Sequence, residues 1–181
     1  MANDWLVGDR HGAAAERIYA AATALIARDG LENFDMAELQ ATVHCSRATL
    51  YRHVGGKAQI RDAVLTREAE RIVEAVRAAV RGLEGSERTV TAVVAALGHI
   101  RADPLGRALL HSMRGASELQ WVSRSPIPPT LAAELTGITD GDDEAAQWIV
   151  RIVLALLFWP VDDPGAERAM VQRFLGTVPQ R

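Results

Sequence analysis

The chain has 181 residues, 20 Lys and Arg against 23 Asp and Glu, and one cysteine. That length allows one domain or two small ones with a substantial core, and the lone Cys45 excludes an internal disulfide. With no signal peptide ahead of the first helix, a reducing cytoplasm is expected. The longest nearly uncharged run, Ile152 to Val161, is far too short to span a membrane, so no membrane partner is expected. Hydrophobic residues make up 49% and aromatics only 5%, which with abundant alanine suits closely packed helices better than sheets.

Residues 1 to 11 lack periodicity and read as a loose arm, with a disordered tail preferred over a minor-groove reach by Arg10. From Gly12 to Arg28 the stripe Ile18, Ala21, Ala22, Leu25 and Ile26 predicts the first helix, closed by Gly30 in a left-handed conformation. Leu31 and Phe34 are expected to plug a three-helix unit. Between Phe34 and Lys57, Met36 and Leu39 lie three apart and Leu50 and Val54 four apart, so two short helices each have one apolar face. Asp35 caps the first and Ser46 the second. The joint at Val43-His44-Cys45 is too short for anything but a sharp corner, the geometry of a helix-turn-helix.

The second short helix carries the chemistry. From His44 to Arg61 the charged residues are Arg47, Arg52, Lys57 and Arg61, with no Asp or Glu among them. Ser46, Thr49, Tyr51 and His53 interleave short or planar donors with these charges. Such groups fix a protein on a duplex through phosphate oxygens, while residues at the helix N-terminus reach base edges. On charge alone, a solvated helix face is an equal reading; the helix-turn-helix frame moves the odds to double-stranded DNA.

The run Thr49-Leu50-Tyr51-Arg52-His53-Val54-x-x-Lys57, with Ser46 after the turn and Gly30 before it, resembles the TetR/AcrR family of transcriptional regulators. The resemblance covers roughly residues 16 to 65. It implies that Tyr51, His53 and Lys57 contact backbone phosphates and that Arg47, Ala48 and Thr49 face the major groove. The chain departs from the family pattern at His44 and Ala48, where glycine is usual, at Cys45, where valine is usual, and at Val54, where phenylalanine is usual. Cys45 is read as a small hydrophobe in that valine site, in preference to a redox sensor.

A long helix from Lys57 to about Leu83 follows, buried along Ile60, Val64, Ile72, Val76, Val80 and Leu83. Ser86 is the expected cap of a helix from Glu87 to Arg101, and Asp103-Pro104 starts another from Leu105 to about Met113. A helical piece at 116–123, a loop at 125–129 and a short helix from Thr130 to Leu135 come next. Asp142, Asp143 and Glu144 place negative charge at the start of a helix running to Trp159 that is apolar nearly all round. One face of such a helix can be covered by its own subunit, which leaves the other for a partner. Pro160 stops it, and Asp163-Pro164 starts the last helix.

These features predict an all-α chain: residues 1–56 as arm and helix-turn-helix DNA-binding domain, and residues 57–181 as a helical ligand-binding and dimerisation domain, helix 57–83 connecting them. A homodimer is expected through Ile149, Val153, Leu156, Leu157, Met170 and Phe174, reading a pseudo-palindromic operator with two heads. A pocket for a small, largely apolar effector is expected among Leu97, Ile100, Leu109, Leu110, Met113, Trp121, Trp148 and Ile152, with His99, His111, Arg114 and Gln147 as candidate polar contacts. No HExxH, CxxC, phosphate loop or nucleophile elbow is present, so neither an enzyme, a metal nor a cofactor is expected. The reading is a repressor released by its ligand. A helical binding protein whose helix-turn-helix no longer binds DNA is the alternative, with His44 and Ala48 as the suspect residues.

Overall fold

The computed structural model describes residues 5–112, 127–138 and 142–176, and every regular element among them is an α-helix. The chain divides into two compact units, Met1–Ala69 and Glu70–Arg181.

The first unit holds α1 (Trp5–Asp29), α2 (Met36–Val43), α3 (Arg47–Val54) and the start of α4 (Lys57–Ala79). Residues 5–11 extend α1 and are not the loose arm expected from composition. No proline interrupts this stretch, and Gly8 and Gly12 cost only about 1 kcal/mol each in a helix of such length. Gly30 closes α1 as predicted, with φ of 84° and its N–H donating to the Ile26 carbonyl at 2.8 Å. Ile18, Ala22, Leu25 and Ile26 of α1 are buried, as are Leu31, Phe34, Leu39, Leu50, Val54, Ile60 and Val64. α1 packs on both α2 and α3.

The corner between α2 and α3 is built from caps. Asp35 Oδ1 accepts from the Ala37 N–H at 3.0 Å, and Ser46 Oγ accepts from the Thr49 N–H at 3.1 Å. Between them His44 turns the chain at φ 52° and ψ 45°, the one non-glycine residue with positive φ among the described residues. Its N–H donates to the Ala41 carbonyl at 3.3 Å, and that of Cys45 to the Gln40 carbonyl at 3.4 Å, so the last carbonyls of α2 are satisfied.

The second unit holds the rest of α4 with α5 (Gly85–Ala102), α6 (Pro104–Ser112), α7 (Ile127–Thr136), α8 (Asp143–Phe158) and α9 (Pro164–Leu175). α5 packs against each of the four described helices that follow it. α4 ends at Ala79, short of the expected Leu83, because the chain turns through Gly82 at φ 77°. α5 starts at Gly85 with Glu84 at the cap position and no side-chain capping bond, so Ser86 lies in the first turn instead of capping it. α7 begins at Ile127, ahead of the expected Thr130. Pro128 and Pro129 fall in its first turn, where a missing N–H removes no helical bond. α6 lies so close to α5 that a Cβ on Gly106 would stand 2.4 Å from the Ile100 carbonyl oxygen.

Two apolar clusters hold this unit. One joins Val90, Val93, Leu97, Ile149, Leu156, Val171 and Leu175 from α5, α8 and α9; the other joins Val73, Val76, Val80, Ala92 and Leu135 from α4, α5 and α7. Polar clamps fix the helix ends around them. Arg88 donates to the carbonyls of Leu135 (3.0 Å) and Glu134 (2.9 Å), closing α7. Arg101 of α5 donates to both carboxylate oxygens of buried Glu167 in α9, at 2.8 and 2.7 Å, and to the Leu156 carbonyl of α8 at 2.8 Å.

Two predictions follow from these contacts. Hydrogen bonds from Arg101 hold the Glu167 carboxyl below its ordinary 4.5. A lowered folded value stabilises the protein fully above the unfolded value, and that stabilisation is lost as pH falls through the folded one. Glu167→Gln is therefore expected to cost about 2 kcal/mol at neutral pH, and to flatten the stability loss of the wild-type chain below about pH 4.5 in denaturant titrations. At the corner, a left-handed conformation costs an L-residue about 1–2 kcal/mol, against roughly 0.5–1 for the extra chain entropy of glycine. His44→Gly is expected to raise stability by about 0.5–1 kcal/mol in thermal unfolding, and β-branched His44→Val to lower it.

Candidate nucleic-acid interface and effector cavity

α3 has one buried and one open face. Leu50 and Val54 turn inward, while Arg47, Ala48, Tyr51 and Arg52 are exposed at helical spacing, with Tyr51 42% accessible. The Arg47 guanidinium lies over the Tyr51 ring at 5.5 Å, which holds both groups out from the helix together. Ser46 and Thr49 share a hydrogen bond at 2.8 Å, so their hydroxyls first secure the N-terminus of α3. Thr49 and His53 are half-buried at the flanks of the exposed strip. Lys57 opens α4, exposed, with Nζ donating to the Glu32 carbonyl at 3.4 Å. Arg61 lies 3.7 Å from the Glu32 carboxylate. All eight predicted DNA-facing residues thus fall on or beside one acid-free helix that begins right after the corner. Cys45, at the corner, is half-buried.

Within the second unit, a cavity of about 270 Å³ lies among α4, α5, α7 and α8. Its walls are Val73; Ala92, Val93, Ala96 and Ile100; Pro128, Leu131, Ala132, Leu135 and Thr136; and Ile149, Val150, Val153, Leu154 and Leu157. Of the residues expected around a pocket, only Ile100 among the described ones borders it. Leu97 is buried in the core with Val90 and Val93, and Leu110, though half-buried, is not among the walls. His99 is half-buried and His111 and Gln147 are exposed, all three away from the walls. Met113, Arg114, Trp121 and the helical piece at 116–123 lie outside the described residues, as does the side chain of Leu109. The sequence signal that was missed is the pair Ala92 and Ala96, two turns and one turn before Ile100 on α5: small residues four apart leave room between helices.

α8 has a second apolar face. Trp148, Ile152 and Ala155 form, with Leu156, Met170, Val171, Phe174 and Leu175, an outer groove of about 340 Å³. Trp148 is 57% exposed, Phe174 65% and Trp159 79%. This corrects the sequence reading in both directions. Trp148 and Ile152 belong to the outer groove, not to the interior cavity. Ile149 and Leu156 are buried in the subunit's own core, and Val153 and Leu157 border its cavity; Met170 and Phe174 do lie on the outer face. The reason is that α8 is apolar nearly all round, with only Glu144, Gln147 and Arg151 marking a polar strip beyond its first residue, so periodicity alone cannot say which apolar stripe turns inward.

Among the described residues no helix is long and apolar enough to cross a membrane, and no group of three or more His, Cys, Asp or Glu is placed to hold a metal ion.

Comparison with known proteins agrees with this arrangement. The family model of bacterial regulatory proteins of the tetR family matches residues 18–64, the stretch that contains α2, α3 and the corner. An HTH-type transcriptional regulator of Mycobacterium tuberculosis strain H37Rv is 30% identical over 178 residues, covering 95% of this chain and 88% of its own length. Among solved structures, a TetR-like transcriptional regulator from Rhodococcus sp. RHA1 superposes with a TM-score of 0.59 at 18% identity, over 90% of this chain and 93% of its own. The TetR-family repressor QsdR of R. erythropolis gives 0.53 at 19% identity, over 94% and 98%. AibR, solved with isovaleryl coenzyme A and operator DNA, gives 0.55 at 20% identity, over 90% and 98%. These likenesses share the helical fold, and the sequence relative spans almost the whole chain. The chain belongs to the TetR family of bacterial helix-turn-helix transcriptional regulators.

Proposed function

We propose that this regulator acts as a homodimeric repressor, in which α3 of each subunit reads one half of a pseudo-palindromic DNA operator and a small, largely apolar effector in the second unit releases it. The observation that carries the reading is the exposed, acid-free face of α3, set directly after the His44 corner. Arg47, Ala48 and Thr49 stand at the N-terminal end of α3, where base edges are reached in the major groove; Ser46, Tyr51, Arg52, His53 and Lys57 serve the flanking phosphates. The outer groove of α8 and α9 supports the dimer, since exposed Trp148, Met170 and Phe174 form a contiguous apolar surface of the kind that marks an interface. The interior cavity supports the effector, and AibR, bound to both isovaleryl coenzyme A and operator DNA, supplies a precedent in the same fold.

The coupling proposed is a population shift. α4 is one continuous helix that begins at Lys57 and carries Val73 of the cavity wall further along. An effector that favours one placing of this helix changes the separation of the two reading heads, and affinity falls when they no longer match the half-sites.

Operator binding by fluorescence anisotropy at several salt concentrations tests the reading. Lys57→Ala is expected to weaken binding to all sequences alike and to reduce the salt slope by about 1. Arg47→Ala is expected to cost about 1–3 kcal/mol on the operator and to erode the preference for it over scrambled DNA. Unchanged affinity and salt slope in both variants would remove α3 as the reading element.

A further inference from the structure

The chemistry of the interior cavity says more about the effector than its location does, and the step taken here rests on the effector reading above. Among the described residues every wall side chain is hydrocarbon except Thr136, including Val93, Ala96, Ile100, Leu131, Val153 and Leu157. Thr136 is 1% exposed, and its hydroxyl already donates to the Ala132 carbonyl at 2.6 Å. Cations stand close by in sequence but are committed elsewhere. Arg101, next to wall residue Ile100, is held by Glu167 and the Leu156 carbonyl; Arg88 is held by the carbonyls that end α7. Beyond the first turn of α7, which wall residue Pro128 helps to open, the wall helices satisfy their own backbone groups. An ionised group placed among the described walls loses part of its hydration and meets no counter-charge from them, whereas a hydrocarbon cage loses nothing and gains dispersion contacts. Size is bounded as well. An apolar cavity near 150 Å³ accepts benzene, so about 270 Å³ suits a molecule of about ten non-hydrogen atoms.

We infer that the cavity takes a compact, uncharged aliphatic molecule of that size and rejects its carboxylate and ammonium analogues. The selectivity arises from the hydrocarbon walls among the described residues, which offer no partner for charge, not from a specific hydrogen bond. The polar contacts that sequence suggested, His99, His111 and Gln147, take no part in it.

Calorimetric titration of the full chain at neutral pH with 1-adamantanol, adamantane-1-carboxylate and 1-adamantylammonium tests this. The three share one rigid cage, so the ionic group cannot trail into solvent on a flexible tail. The alcohol is expected to bind at least about 100-fold tighter than either ion. Ala96→Leu on α5 and Ala132→Leu on α7 fill the cavity from two helices, and each is expected to weaken the alcohol at least about tenfold. Thermal unfolding shows whether each variant folds; if one does not, the other decides, and the charge series needs neither. Binding of an ion within tenfold of the alcohol overturns the inference. So does alcohol binding that both leucine variants leave unchanged, which would place the alcohol in the outer groove, or no alcohol binding up to its solubility. A chain that binds 1-adamantanol in the cavity yet holds its operator unchanged would sink the effector reading alone and leave the cavity's selectivity standing.

Discussion

α8 is the constraint on which the second unit depends. A helix apolar on every side has to be covered on every side. Its inner stripes are covered from within the chain: Ile149 and Leu156 by α5 and α9, and Val150, Val153, Leu154 and Leu157 across the cavity from α5 and α7. The remaining stripe, Trp148, Ile152 and Ala155, lines the outer groove with α9; Ile152 is half-buried against the core, while Trp148 and Ala155 are exposed among the described residues. One helix thus separates an apolar cavity between helices from an exposed apolar surface. On the function proposed above, these are the places for an effector and for a second subunit, and a shift of α8 would bear on both.

The energetics favour this apolar frame over the charges on the surface. Arg28 with Glu38, Arg67 with Glu16 and Arg77 with Glu134 are exposed pairs, screened by solvent and weak contributors to stability. Burying one large aliphatic side chain contributes about 1.5–3 kcal/mol, and the core of each unit holds many. Arg101 with Glu167 differs because the carboxylate is buried and doubly bonded, and because the arginine also satisfies a carbonyl of α8. That clamp fixes the register of three helices; the surface pairs only decorate it.

The local elements were legible where chemistry and period agree within a few residues. Asp35, Ser46, Asp103, Asp142 and Asp163 all accept hydrogen bonds from backbone N–H groups at the starts of their helices. The tight corner was legible too, since three residues between two short amphipathic helices leave no other path. What could not be read were features set by which helices meet. The cavity depends on Ala92 and Ala96 facing Leu131 and Val153, pairs brought together only by the packing of α5, α7 and α8. The inner and outer faces of α8 carry similar residues, so Trp148 and Ile149 exchanged roles between sequence and structure. Ser86 failed as a cap because Gly85 accepts a left-handed conformation and lets the helix start earlier.

The most direct test of the account is selection of sheared genomic DNA from the protein's own host on the purified chain at physiological salt, with sequencing of what is retained. The account predicts a small set of enriched fragments sharing a two-fold symmetric site, with half-sites centred about one helical turn apart or a multiple of it. Retained DNA indistinguishable from the input would contradict it, because paired α3 helices that read base edges must favour some sequences over others.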